Sequence, residues 1–102
     1  SSGSSNGGSA PQITGVTPAQ SAFLYVGDTI LVSAAATGDA PFDTRVELDG
    51  NVILDWATTM SRNWTPTAAQ SGAHQLTIWV RDVNQQTSSQ NMDIFVGYDP
   101  SN

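Results

Sequence analysis

The segment from His74 to Asp82, HQLTIWVRD, alternates apolar and polar residues without a break. A period of two places Leu76, Ile78 and Val80 on one face of an extended chain and Gln75, Thr77, Trp79 and Arg81 on the other. A helix would scatter the same residues around its circumference. The segment is therefore predicted as a strand with one buried face. Before it comes WTPTAAQSG, Trp64 to Gly72, in which Pro66 and the closing glycine predict a corner. A single half-buried strand cannot bury its apolar residues alone, so the remaining chain has to supply partner strands.

Those partners are visible in order. Ile13 and Val16, split by Gly15, predict a short bulged strand that Pro18 ends. Phe23 to Val26 reads as a short edge segment. Thr29 to Ala36 is a strand with Ile30, Val32, Ala34 and Ala36 on one face. Thr44 to Leu48 alternates strictly, with Val46 and Leu48 inward and Arg45 and Glu47 outward. Asp49-Gly50 is the strongest hairpin signal in the chain, and Asn51 to Trp56 should be the returning strand. After a polar loop from Asn84 to Ser89, Met92, Ile94 and Val96 alternate with Asn91, Asp93 and Phe95, and this last strand should pair antiparallel with the first segment described. Seven or eight short strands, turn signals about every ten residues and no helical period predict an all-β, two-sheet sandwich of antiparallel strands with Greek-key connections. A small barrel is the structural alternative. Residues 1–10, SSGSSNGGSA, read as a flexible Ser/Gly linker, residues 11–98 as one domain, and residues 99–102 as the start of a C-terminal linker.

Charge narrows the function. Nine acids stand against three arginines and no lysine, a net charge of −6. With no basic cluster to neutralise phosphates, nucleic acid and anionic membrane surfaces are excluded as partners. The chain has no cysteine, hence no disulfide framework, no thiolate metal site and no thiol nucleophile. No run reaches the roughly 18 apolar residues of a membrane span. Solubility carried by Thr, Ser, Gln and Asn suits an extracellular or cell-surface β-module, its export signal lying outside this sequence.

The succession VGDTILVSAAATG, VELDG and LDWATTMSRNWTPTAAQSGAHQLTIWVRD resembles the immunoglobulin-like modules, relatives of triple-tyrosine and PKD-type repeats, of large secreted or surface bacterial proteins. The resemblance spans residues 12–97 and is sharpest in WTPT, the small-residue corner and the strand ending in WVRD. It implies an immunoglobulin-like sandwich in a modular context. In those modules a tyrosine shortly after the corner glycine ties the strand back to the preceding loop. This chain has His74 there, and an imidazole N–H can make a similar bond.

One histidine, no cysteine, no lysine and no Gly-x-Ser-x-Gly elbow leave no nucleophilic machinery. His74 as a base with Asp82 as its orienter fails on distance, since eight residues of strand span about 26 Å. A glycosidase pair needs two carboxylates about 5 to 10 Å apart in a cleft, and Asp28, Asp39, Asp49, Asp82 and Asp99 sit at turns, where aspartate serves the backbone. No catalytic residue is therefore assigned and no cofactor is expected. Calcium is a weak candidate, with Asp82 and Asn84 joined by Asp39 or Asp43 from another loop. The best binding candidate is the outer face with Trp79, Phe95 expected near it on the adjoining strand, Arg45 and Glu47 beside them, and Trp56 at a strand end. Such a surface can stack on sugar rings. The same residues equally suit a structural arrangement in which Arg45 or Arg81 lies over Trp79. Trp64 is expected at a sheet edge or in the core.

The expectation is a monomeric, non-catalytic spacer or interaction module of a multidomain exported bacterial protein, in contact with neighbouring domains of the same polypeptide. The alternative is a carbohydrate-binding module attached to a polysaccharide-degrading enzyme, with polysaccharide as partner.

Overall fold

In the computed structural model, residues 10–98 are described. Most of the expected N-terminal linker and the expected C-terminal one lie outside the described residues. The domain is all-β, two sheets packed face to face. The strands are β1 (Gln12–Thr17), β2 (Ala22–Tyr25), β3 (Ile30–Thr37), β4 (Asp43–Leu48), β5 (Asn51–Ala57), β6 (Ser61–Trp64), β7 (Gly72–Arg81) and β8 (Thr87–Gly97). One sheet has the order β1-β3-β6, the other β2-β8-β7-β4-β5. The chain crosses between sheets after β1, β2, β3, β5 and β6, so that only the β4–β5 and β7–β8 hairpins stay within one sheet, in keeping with the Greek-key connections expected.

The alternation in β7 does what its period requires. Leu76, Ile78 and Val80 are fully buried, and Val46, Leu48, Met92, Ile94 and Val96 flank them on the inner face of the same sheet. Val32 and Ala34 on β3 and Trp64 on β6 close the core from the opposite sheet. The small side chains late in β3 let the two layers approach.

Local chemistry explains the turns. Asp49 and Gly50 both have positive φ, 52° and 84°, as a two-residue type I′ hairpin requires. The bulge foreseen at Gly15 appears as a register shift between Ile13 and Gly15 against β3. In the corner, a single 3-10 turn spans Ala68–Gln70, and the Thr67 N–H donates to Gln70 Oε1 at 3.0 Å.

Three features differ from expectation. The strands are not all antiparallel, since β2 pairs with β8 in parallel along the sheet edge. The Thr/Ser-rich stretch before the corner contains β6, a strand that its polar outward residues Ser61 and Asn63 conceal. The loop before the last strand is also shorter than expected. Its turn closes when Asp82 Oδ1 accepts the N–H groups of Asn84 (2.9 Å) and Gln86 (3.0 Å), so Thr87, Ser88 and Ser89 already belong to β8.

Leu76 is fully buried in the core between the layers, so Leu76→Ala leaves a cavity there. Denaturant unfolding should show a loss of about 2–5 kcal/mol, against less than about 0.5 kcal/mol for a change at exposed Gln75.

Candidate functional site

The outer face of the five-stranded sheet carries most of the candidate side chains, and the β7–β8 register decides which of them meet. Trp79 lies opposite Ser89, whereas Phe95 lies opposite Ala73. The six residues from Ala73 to Trp79 place Phe95 about 20 Å from Trp79. The expected Trp79–Phe95 neighbourhood is therefore corrected. The early start of β8 moved the register and carried Phe95 to the far end of the sheet.

Trp79 instead gathers with Trp56, Arg45, Glu47 and Arg81. Arg45 faces Trp79 directly across the strand pair. Its guanidinium carbon stands 5.1 Å from the Trp56 ring centroid and 5.6 Å from that of Trp79. Arg81 covers Trp56 at 4.4 Å. Each arginine is also fixed by an acid, Arg45 by Glu47 and Arg81 by Asp43, both at 2.7 Å. The Arg81 guanidinium, followed by the Thr58 hydroxyl, holds the Asp43 carboxyl below its usual pKa. Arg45 Nε and Trp79 Nε1 are buried donors without acceptors, a cost that the cation-π contacts and ion pairs have to offset. Trp79 is thus half-buried with a guanidinium over its ring. The four residues Trp79, Arg45, Glu47 and Trp56 come together, but as a closed lattice in which arginine already takes the place on the indole that a sugar ring would take.

A second aromatic group lies at the other end of the face. Phe23 on β2 pairs with Phe95 on β8 in parallel register. Their rings stack with centroids 5.1 Å apart and planes 25° from parallel, and Tyr25 meets Phe23 edge-on at 5.1 Å. Phe23 is 54% exposed and Phe95 45%. Of these three rings, the sequence pattern singles out Phe95 alone. The alternation in AFLY puts Phe23 and Tyr25 on one face and Leu24 on the other, yet only the parallel pairing reveals which strand they adjoin.

His74 and Asp82 sit at opposite ends of β7, as strand length requires. His74 Nδ1 bonds Asp49 Oδ2, and Nε2 bonds the Ser71 carbonyl oxygen at 3.2 Å. The tie to Ser71 is the corner bond expected of this position. Asp49 adds another, since its Oδ1 accepts the Gln75 N–H at 2.8 Å and its own N–H donates to the Gln75 carbonyl at 2.8 Å. Both acceptors facing the ring lack hydrogens, so the imidazole satisfies both only when protonated. The Asp49 bond accordingly raises the His74 pKa above its ordinary 6.5. The Gln75 N–H, then His74, lowers that of Asp49.

The calcium candidates divide. Asn84 Nδ2 donates to Asp39 Oδ2 at 2.7 Å and the Asn84 N–H to Asp82 Oδ1, so Asp39, Asn84 and Asp82 do meet. Asp43 belongs elsewhere, held by Arg81 and Thr58 because β4 places it opposite Arg81. Asp82 is 4% exposed, with Oδ2 unpartnered. Asp39 and Asp82 bring two carboxylates to this loop end, and among the described residues no group of three or more His, Cys, Asp or Glu is gathered that could hold a metal ion.

No protein-family model matches the sequence, and no curated protein matches it. Solved structures do. The fibronectin(III)-like modules of Clostridium thermocellum CbhA superpose with a TM-score of 0.62 at 19% identity, over 87% of this chain and 99% of that one. The Bacteroides ovatus mixed-linkage glucan utilization locus protein SGBP-B, in complex with a mixed-linkage heptasaccharide, gives 0.63 at 16% identity, over 97% of this chain and 26% of that one. A quinonprotein alcohol dehydrogenase-like protein of Bacteroides thetaiotaomicron gives 0.60 at 11%, over 84% of this chain and 20% of that one.

Two solution measurements follow from the site. The His74 contribution is whole below about pH 6.5 and is lost as pH rises through the raised folded pKa. That of Asp49 is present above about pH 3.8 and is lost as pH falls through the lowered one. Melting temperature should fall by a few degrees on the alkaline side of 6.5, and His74→Gln should flatten that slope; parallel curves for the two proteins would contradict the assignment. Melting in millimolar calcium and in chelator should coincide, and a rise of several degrees with calcium would establish a site around Asp82.

At these identities the likeness is one of architecture, and the chain has a two-sheet β-sandwich fold of the fibronectin(III)-like kind.

Proposed function

We propose that the chain is a non-catalytic spacer and interaction module of a multidomain exported bacterial protein, extracellular or on the cell surface, related to the immunoglobulin-like repeats that its sequence resembles. The observation that carries this reading is where the chain enters and leaves the sandwich. The Ser88 hydroxyl at the start of β8 donates to the Pro11 carbonyl just before β1. The chain then leaves at Gly97, nine residues farther along the same extended strand and about 30 Å away. Entry and exit lie at opposite ends of one strand. Domains attached to the two ends are therefore held apart by a hydrogen-bonded sheet.

The side chains are spent in keeping with this role. Both ring nitrogens of His74 are engaged, leaving neither free to move a substrate proton. The solved relatives support the modular context: this chain spans nearly all of the CbhA module and about a quarter of SGBP-B. Attachment to a polysaccharide-acting protein is the second reading, favoured by the glycan seen with SGBP-B.

Fusion of two compact reporter domains directly before Pro11 and after Tyr98 tests the spacer. Small-angle scattering should give one narrow inter-reporter distance, about 30 Å longer than in a direct fusion. A Ser/Gly chain of equal length should give a broad distribution. Equally broad distributions would remove the spacer reading, and hydrolysis of glycosides or esters abolished by His74→Gln would remove the non-catalytic one.

A further inference from the structure

We infer that the Phe95 end of the outer face is a binding site for a neutral hexopyranose chain. This inference adds a ligand to the proposed module and stands independently of the spacer geometry. The Phe23 and Phe95 rings stack on one another and are about half exposed, an arrangement that no core contact explains and that costs solvent-exposed apolar area. Across from Phe95 on β7 is Ala73, too small to cover the ring. Beside it opens a shallow slot of about 220 Å³ whose lining includes Ala73, Asp93 and Phe95, room for about one sugar ring.

The polar groups at this slot are held in place. Asp93, two residues before Phe95 on the same face of β8, is clamped by Gln20. The Gln20 amide donates to Asp93 Oδ2 at 3.1 Å, and its carbonyl accepts the Asp93 N–H at 3.3 Å. The Ser21 N–H anchors the Asp93 carbonyl at 2.7 Å. Asp93 Oδ1 remains an exposed acceptor, and Gln75 lies directly opposite Asp93.

A half-exposed aromatic ring beside a held carboxylate, with Gln75 opposite it on the neighbouring strand, matches a pyranose, whose C–H face is apolar and whose equator is ringed with hydroxyl donors. Other occupants fit less well. An apolar peptide would bury the carboxylate oxygen without a donor. An anion meets Asp93 and a net charge of −6, with no arginine at this end of the sheet. A quaternary ammonium wants rings arranged around a point, and Phe23 and Phe95 stack on one another instead.

Affinity electrophoresis in gels containing hydroxyethyl cellulose, barley mixed-linkage glucan, xyloglucan or galactomannan tests the site. At least one of these neutral glycans should retard the protein. Phe95→Ala should weaken that retardation at least about tenfold, and Asp93→Asn should weaken it measurably. Both variants should keep the wild-type circular dichroism spectrum and stay folded at the assay temperature, Phe95→Ala melting a few degrees lower because its stack on Phe23 is lost, and Trp79→Phe should bind as wild type. Retardation by none of the four, or retardation that survives Phe95→Ala, would overturn the inference. So would a concentration-dependent dimer that is abolished by Phe95→Ala and accompanied by no glycan binding, since the rings would then serve a second copy of the chain. Loss of glycan binding leaves the scattering distance of the spacer untouched, so the two readings fail separately.

Discussion

The pairing of β7 with β8 is the constraint on which the rest of the molecule depends. It runs unbroken from Gly72 opposite Val96 to Arg81 opposite Thr87. On the inner side it lays Leu76, Ile78 and Val80 beside Met92, Ile94 and Val96, and that row is the floor of the core. On the outer side it separates the aromatics into two groups about 20 Å apart. A slip of one residue would turn the whole buried row to solvent, so this register is strongly specified.

The two aromatic groups have different physics. At the Trp79 end every ring is matched with a cation and every cation with an acid, in an alternation that runs from Glu47 through Arg45, Trp56 and Arg81 to Asp43. In a chain with only three arginines, two are spent here. The third, Arg62, donates to the carbonyls of Thr44 and Asp55 and so ties β6 to the strands of the other sheet. At the Phe95 end the rings have no cation, and the polar groups around them are held by Gln20 and backbone. The first arrangement is complete in itself, whereas the second leaves apolar ring and carboxylate oxygen facing outward.

Much of this was readable from the residues. Strict alternation located β4, β7 and β8 and gave their inward sets correctly, because burial on one face and hydration on the other is a direct consequence of the pleat. Asp49-Gly50 announced its turn because positive φ at two successive residues admits few side chains. His74 was recognised as a corner residue from its place after Gly72. Its ion pair with Asp49 was not, since the partner lies 25 residues earlier on a different hairpin. The strand β6 was missed for the opposite reason: Ser61 and Asn63 face water and gave no apolar run to read.

The sequence by itself determined which residues of the alternating strands turn inward, where the tight turns fall, and that the chain has no thiol and only three arginines as fixed cations; these follow from periodicity, backbone preference and composition, all local properties. Only the tertiary structure decided which outward residues meet. Cross-strand neighbours depend on where a hairpin closes, and here the Asp82 carboxylate closed it early enough to draw Thr87, Ser88 and Ser89 into the ladder. That choice gave Trp79 to the arginines and set Phe95 beside Phe23, Ala73 and an open slot.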